Sequence, residues 1–205
     1  STAEAPFART HNVAVDGRGN IFVCFIANNA PATAGVVQEK CAGEGDFVIE
    51  KISPAGALVA ATFLGGTGKE TNGPDEILVD KDGNVVIVGC SGSRDYPVTP
   101  AALQPRNAGG FDGVISVLSG GLKTLLYSTC IGGGRGEPAS DDWSNFDMAR
   151  ACCIGNDKTL LVCGCTNSAS FPTKNAWRAS FSGPAGAGWG CGDGWIAAFR
   201  PTTGP

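Results

Sequence analysis

An internal repeat constrains this 205-residue chain more than any other feature of its sequence. Residues 13–23 (VAVDGRGNIFV) align with residues 77–87 (ILVDKDGNVVI), and a more divergent copy follows at residues 151–162. Each copy is an apolar run, a turn and a second apolar run, and Asp-Gly-Asn in the turn is a strong β-hairpin signal. A self-similar unit of this size is typical of repeat architectures, including propellers.

Two further segments follow the hairpins in the same order, the first in all three repeats and the second in the first two. Residues 46–52 (DFVIEKI), 112–118 (DGVISVL) and 193–199 (DGWIAAF) each begin with Asp and are predicted to be third strands. Residues 58–66 (LVAATFLGG) and 125–133 (LLYSTCIGG) are predicted fourth strands without a counterpart in the third repeat. Four short strands per repeat predict an all-β fold of propeller blades, the last one incomplete. We expect blades at about 11–66, 75–133 and 147–199 within one domain, 1–205.

Composition supports many short strands and excludes two classes of partner. Glycine occupies 31 positions and charged residues make up only 17% of the chain, as expected for strands joined by tight turns. The net charge is −4 and no Lys/Arg cluster exists, which argues against binding to nucleic acid. No apolar run approaches the length of a membrane-spanning helix, so no membrane span is expected.

Short motifs at the strand ends make the pattern more specific. Residues 88–91 (VGCS) and 163–166 (CGCT) end second strands, and residues 96–99 (YPVT) and 171–173 (FPT) follow them in loops. With the Asp-Gly-Asn turn and the terminal Gly-Gly, these motifs resemble the repeat of the bacterial SBBP-type β-propeller family over residues 13–199. Departures include Phe25-Ile26 where the second repeat has Gly-Cys. The resemblance implies a secreted or cell-surface, non-catalytic module for protein assembly or ligand binding.

Three blades are fewer than the roughly four to eight of a closed propeller. We therefore expect the ring to be completed by a homo-oligomer, such as a six-bladed dimer, by another protein partner, or by the rest of a longer protein. Residues 1–10 are a candidate for the outer strand that the third blade lacks.

Four of the nine cysteines recur at related repeat positions. Cys24 and Cys163 occupy the same place in second strands, whereas Cys41 and Cys191 precede third strands. This recurrence predicts two disulfides, Cys24 with Cys41 and Cys163 with Cys191, and hence an extracellular, cell-surface or periplasmic location. A thiolate metal site is not expected, because no C-x2-C pair occurs and His11 is the sole histidine.

Two sets of residues in the predicted loops are candidates for ligand contacts. Asp141, Asp142, Asn145 and Asp147 place four oxygen-bearing side chains within seven residues, a pattern that could bind calcium as a cofactor. The aromatic candidates for stacking on the sugar rings of a glycan are Trp143, Trp177 and Trp189. The turn at residues 80–84 is interpreted as a hairpin rather than a calcium loop, because the first repeat has the same turn with fewer acids.

No catalytic residue is predicted. An alternative function is a carboxylate-based glycoside hydrolase or lyase with its site on the propeller axis, and another is a carbohydrate-binding module. Asp46, Asp112 and Asp193 recur at one blade position. Such recurrence predicts a structural role, in which each carboxylate accepts hydrogen bonds from backbone amides of a loop.

Overall fold

The computed structural model describes residues 12–134, 146–183 and 192–200, which form three antiparallel β-sheets and no helix. Sheet 1 consists of β1 (Asn12–Val15), β2 (Ile21–Ala27), β3 (Asp46–Ile52) and β4 (Leu58–Leu64). Sheet 2 consists of β5 (Glu70–Val79), β6 (Val85–Ser91), β7 (Asp112–Leu118) and β8 (Leu125–Ile131). Sheet 3 consists of β9 (Asp147–Ile154), β10 (Leu160–Thr166) and β11 (Asp193–Phe199).

Each sheet is a meander in which every strand pairs with the next one along the chain. The predicted all-β class and the three repeated sheets of four, four and three strands are therefore confirmed for the described residues. The register also repeats, because the last residue of the second strand pairs with the third-strand Asp: Ser91 with Asp112, and Thr166 with Asp193. The sheets are consistent with blade-like repeats. None of the described segments forms a helix that could cross a membrane.

The Asp-Gly-Asn hairpins are held by their own side chains. Asp80 accepts hydrogen bonds from the backbone amides of Asp82 at 2.9 Å and Asn84 at 2.8 Å, and from Asn84 Nδ2 at 2.9 Å. Gly83 adopts a left-handed conformation with φ of 84°, and Gly19 adopts the same conformation in sheet 1 with φ of 80°. The Asp80 carboxylate is thus used within the turn, in agreement with its interpretation as a hairpin.

In the third hairpin a lysine occupies this left-handed position. Lys158 has φ of 63°, which costs roughly 1 kcal/mol for a residue with a Cβ. Its Nζ lies 2.6 Å from Asp82, but both side chains are exposed, so the ion pair contributes little. We expect Lys158→Gly to raise the free energy of unfolding in denaturant by up to about 1 kcal/mol. Lys158→Ala, which removes the ion pair and keeps the Cβ, is the control, and a less stable glycine variant would contradict this account.

Sheet 2 lies between the other two sheets, and the strand alternation explains its two apolar faces. Val85 and Ile87 pack in the cluster shared with sheet 1, whereas Val86 and Val88 pack in the cluster shared with sheet 3. Successive side chains of a strand point to opposite faces, so a strand buried on both sides is apolar throughout. The continuous apolar run of β6 is the result.

The first strand of each later sheet makes the contacts to the sheet before it. β5 contacts β1, β2 and β3, and β9 contacts β5, β6 and β7. The two junctions between sheets are therefore built alike, with each first strand laid across the preceding sheet.

In sheet 1 an aromatic side chain lies on the second strand, whereas in the third repeat it lies in the loop after that strand. Phe25 stands where β10 has Gly164, and Ala30 stands where the third repeat has Phe171 in the loop. Phe25 and Ala30 pack in one cluster with Val48. The strand thus supplies the aromatic ring that the loop supplies elsewhere, which explains why the first repeat departs from the motif.

Candidate functional site: sheet junctions and exposed sheet faces

The Asp that begins each third strand anchors the loop before it. Asp46 and Asp112 are fully buried, and Asp193 is partly exposed. The predicted structural role is confirmed, because each carboxylate accepts a hydrogen bond from a loop backbone amide at 2.7–2.8 Å: Ala42 to Asp46, Ala108 to Asp112 and Ser182 to Asp193.

Two glutamines complete this anchor and were not predicted from the sequence. Gln38 Nε2 donates to Asp46 at 2.5 Å, and its Oε1 accepts from the backbone amide of Gly65 at 3.2 Å. Gln104 makes the same bonds to Asp112 at 2.6 Å and to Gly132 at 3.1 Å. Both glutamines precede their Asp by eight residues, and this shared spacing is the signal that could have identified them.

The first glycine of each Gly-Gly pair leaves space for these acids. A Cβ on Gly65 would overlap the carboxylates of Asp46 and Glu70, and a Cβ on Gly132 would overlap that of Asp112. The repeated glycines are therefore required by close approach to a buried carboxylate rather than by backbone conformation.

A second acid from the following sheet meets each anchor. Glu70 begins β5 and its backbone amide donates to the carbonyl oxygen of Gly45, 3.1 Å away. Asp147 begins β9 and donates in the same way to Phe111 at 2.7 Å. Gly45 and Phe111 each immediately precede the anchor Asp, so each junction brings two carboxyl groups together. The sequence did not predict these pairs, because one member is Glu in one repeat and Asp in the other.

Burial raises the pKa values of the paired carboxyl groups. Desolvation, reinforced by the charge of Asp46, raises the pKa of Glu70 to about 8, although Ser93 and Ser91 donate hydrogen bonds to Oε1 at 2.6 and 2.7 Å. Glu70 Oε2 and Asp46 Oδ1 are buried without another partner. A proton on Glu70 therefore satisfies both oxygens, because the neutral carboxyl group can donate to Asp46.

The second junction has the same electrostatics. Desolvation raises the pKa of Asp112 to about 7, and the nearby charge of Asp147 adds to the effect. Desolvation also raises the pKa of Asp147 to about 6, against hydrogen bonds from Thr166 and Gly133. All four acids of the two junctions are buried.

The corresponding acid of sheet 3 has a different environment. Asp193 accepts hydrogen bonds from the backbone amide and the hydroxyl group of Ser182, which lower its pKa from the ordinary value. The equivalent Asp112 is buried against β9, which follows it in the chain. Among the described residues no further sheet covers Asp193, so its carboxylate remains in contact with water.

We call the face of each sheet that packs on the following sheet its forward face. In sheet 2 this face carries the cross-strand pairs Val86–Val117 and Val88–Ile115, all buried against sheet 3. The same positions of sheet 3 are the exposed pairs Leu161–Ala198 and Cys163–Ile196. Ile196 is 76% exposed, so the apolar forward face of sheet 3 is open to solvent.

The opposite face of each sheet, its backward face, packs on the preceding sheet. In sheet 2 it includes Ile77 and Ile87, which are buried against sheet 1. Val13 and Val23 hold the same positions in sheet 1, where Val13 is 61% exposed and the neighbouring Val15 60%. The part of the backward face of sheet 1 that β1 forms is therefore apolar and in contact with solvent.

The predicted disulfide between Cys24 and Cys41 is not formed, which corrects the sequence analysis. Both are free thiols, and they lie in different clusters. Cys24 is fully buried between sheets 1 and 2, whereas Cys41 packs beside Phe25 on the other face of sheet 1. Cys163 is exposed on the forward face of sheet 3, and its predicted partner Cys191 lies outside the described residues.

The candidate ligand contacts are only partly described. Trp177 is fully exposed. Asp147 is buried on β9, and no group of three potential metal ligands occurs within the described ranges. The following candidates lie outside the described residues: Trp143, Trp189, Asp141, Asp142, Asn145 and the proposed closing strand at 1–10.

A cleft of about 400 Å³ opens between the hairpin turns of sheets 2 and 3. Its lining includes the apolar side chains of Val117 and Leu160 and the ion pair of Lys158 with Asp82. This combination could accept a small ligand with both apolar and polar groups.

Comparison with known proteins gives no assignment: no family model matches the chain, and no curated protein is significantly similar in sequence.

Proposed function

We propose that this chain is a non-catalytic module of the β-propeller type that mediates protein assembly through the outer faces of its end sheets. The observation that supports this proposal is the exposed forward face of sheet 3. The equivalent side chains of sheets 1 and 2 are each covered by the sheet that follows in the chain. Contiguous exposed apolar surface on a folded domain is a mark of interaction sites.

Burial of this face provides a driving force for assembly. Fully burying one aliphatic side chain contributes roughly 1.5–3 kcal/mol, and Leu161 and Ile196 are both exposed. The hydrogen-bonding groups of the β10 backbone are already paired with β9 and β11. A partner sheet can therefore cover the face without leaving backbone groups unsatisfied.

The other functions predicted from the sequence have less support. The carbohydrate-binding alternative depends on Trp177, whose exposed indole could stack on a sugar ring. The enzyme alternative required acids that converge on an open site, but Asp46, Glu70, Asp112 and Asp147 are buried in the junctions. A location outside the cytoplasm remains a prediction.

A tandem fusion tests whether the exposed faces accept a blade-like sheet. Two copies joined by a flexible linker place sheet 1 of the second copy beside sheet 3 of the first at high effective concentration. We expect the fusion to unfold at higher denaturant concentration than the single chain. We also expect Cys163 of the first copy to be protected from a maleimide reagent, as measured by peptide mass mapping.

The control is the same fusion with Ile196→Asp in the first copy, which places a charge on the forward face. This variant should lose both the added stability and the protection of Cys163. Equal reactivity of Cys163 in the fusion and in the single chain would contradict the proposed function.

A further inference from the structure

We propose that the sheet accepted by the forward face of sheet 3 is sheet 1 of a second copy, so that two chains close head to tail into a six-sheet ring. This inference rests on the proposed function and specifies its partner. A forward face already packs on a backward face at two places within the chain, between sheets 1 and 2 and between sheets 2 and 3. The two exposed faces are one forward face and one backward face.

The side chains on the two faces are complementary in character. The forward face of sheet 3 presents Leu161 and Ile196, and the backward face of sheet 1 presents Val13 and Val15. At the internal junctions aliphatic side chains of the same kind pack into one cluster between sheets. A head-to-tail contact therefore reproduces a type of packing that is already present at both internal junctions.

The hairpin turns are compatible with the same arrangement, although an exposed ion pair contributes little to its stability. Between sheets 2 and 3, Asp82 pairs with Lys158 of the following turn at 2.6 Å. Asp157 holds the Asp82 position in the turn of sheet 3, where it already pairs with Arg200 of its own chain at 3.1 Å, and Arg18 lies in the turn of sheet 1. A head-to-tail contact brings Asp157 of one copy near Arg18 of the other.

The number of sheets permits closure. A head-to-tail contact forms a ring when its rotation closes, and propellers close with roughly four to eight blades. Two copies of three sheets supply six. In such a dimer both end faces of each copy are covered, whereas forward-to-forward pairing leaves the face with Val13 in water.

Sedimentation velocity of the untethered chain across a concentration series tests this inference. We expect a species of twice the 20.8 kDa chain mass. Ile196→Asp on the forward face and Val13→Asp on the backward face should each weaken dimerisation by at least about tenfold, because each places a charge in both junctions. Leu103→Asp, at an exposed loop position away from both faces, should leave the dimer unchanged.

An equimolar mixture of the Ile196→Asp and Val13→Asp variants tests whether the two chains pair head to tail. In that mixed pair one junction joins two unaltered faces, so a dimer should reappear. Denaturant unfolding of each variant alone checks that the fold is intact, which we expect because both side chains are exposed.

Thiol reactivity supplies a second measurement. Cys153 and Cys163 are exposed on sheet 3 and should react with a maleimide in the monomer and be protected in the dimer. A monomer at every concentration, with both thiols reactive, would overturn this inference. The proposed function would still be tested separately by the tandem fusion. Loss of the dimer in Ile196→Asp but not in Val13→Asp would overturn it in favour of forward-to-forward pairing.

Discussion

Substitution of Gly132 by alanine is expected to lower the free energy of unfolding by about 3 kcal/mol or more. The new Cβ would overlap the carboxylate of Asp112. That carboxylate cannot move without losing its hydrogen bonds from Ala108 and Gln104. Overpacking typically costs about 1–3 kcal/mol, and a buried acid left without its donors adds a comparable penalty.

Gly17→Ala is the matched control, because a Cβ there would contact nothing within 4 Å and no left-handed conformation is involved. Urea unfolding of the two variants and of Gly65→Ala, which changes the equivalent position of sheet 1, would measure the effect. We expect the Gly65 and Gly132 variants to lose similar amounts of stability. If Gly132→Ala were as stable as Gly17→Ala, the close approach of glycine to carboxylate would not be a determinant of this fold.

Substitution of Glu70 by glutamine is expected to stabilise the protein above pH 8 and to reduce the dependence of its stability on pH. The folded-state pKa of Glu70 is raised to about 8 from an ordinary value near 4.5. A raised pKa contributes stability that is present below the unfolded-state value and is lost as pH rises through the folded-state value. Each unit of pKa difference corresponds to about 1.4 kcal/mol, so the loss between pH 5 and pH 9 should amount to several kcal/mol.

Glutamine is a neutral isostere of the protonated acid at this site. Its carbonyl oxygen can accept the bonds from Ser91 and Ser93, and its amide can donate to Asp46. Denaturant unfolding from pH 5 to pH 9 should show similar stability for both proteins at pH 5 and a more stable variant at pH 9. Glu44→Gln makes the same chemical change at an exposed position. Parallel curves for wild type and Glu70→Gln would show that Glu70 is ionised throughout this range.

Some pH dependence should persist in the Glu70→Gln variant. Asp112 and Asp147 at the second junction have pKa values raised to about 7 and about 6. Their contributions are lost in the same direction, as pH rises, because both shifts are upward.

Most of the strands could be predicted because their signals are local. A two-residue alternation, a hairpin turn with Gly and Asn, and an Asp at the start of each third strand all act within a few residues. The predicted third strands at residues 46–52, 112–118 and 193–199 match β3, β7 and β11. The anchoring role of Asp46 could also be predicted, because a repeated position implies a repeated contact.

The prediction of a disulfide between Cys24 and Cys41 failed because spacing along the chain does not report which face of a strand a side chain occupies. Cys24 follows Val23 and precedes Phe25, so it points away from the face on which Cys41 lies. For the same reason, the pairs of carboxyl groups at the junctions could not be predicted from the sequence. Glu70 meets Asp46 only because the first strand of one sheet is laid across the sheet before it.

The sequence by itself thus determined the strands, their turns and their grouping into three sheets, since these depend on short-range periodicity and backbone preference. The tertiary structure alone decided which faces are covered, which carboxyl groups meet at the junctions, and which apolar side chains remain in water. The physical reason is that burial depends on the stacking of whole sheets. Val88 of β6 and Cys163 of β10 occupy equivalent positions in their sheets, yet Val88 is buried by sheet 3 and Cys163 is exposed.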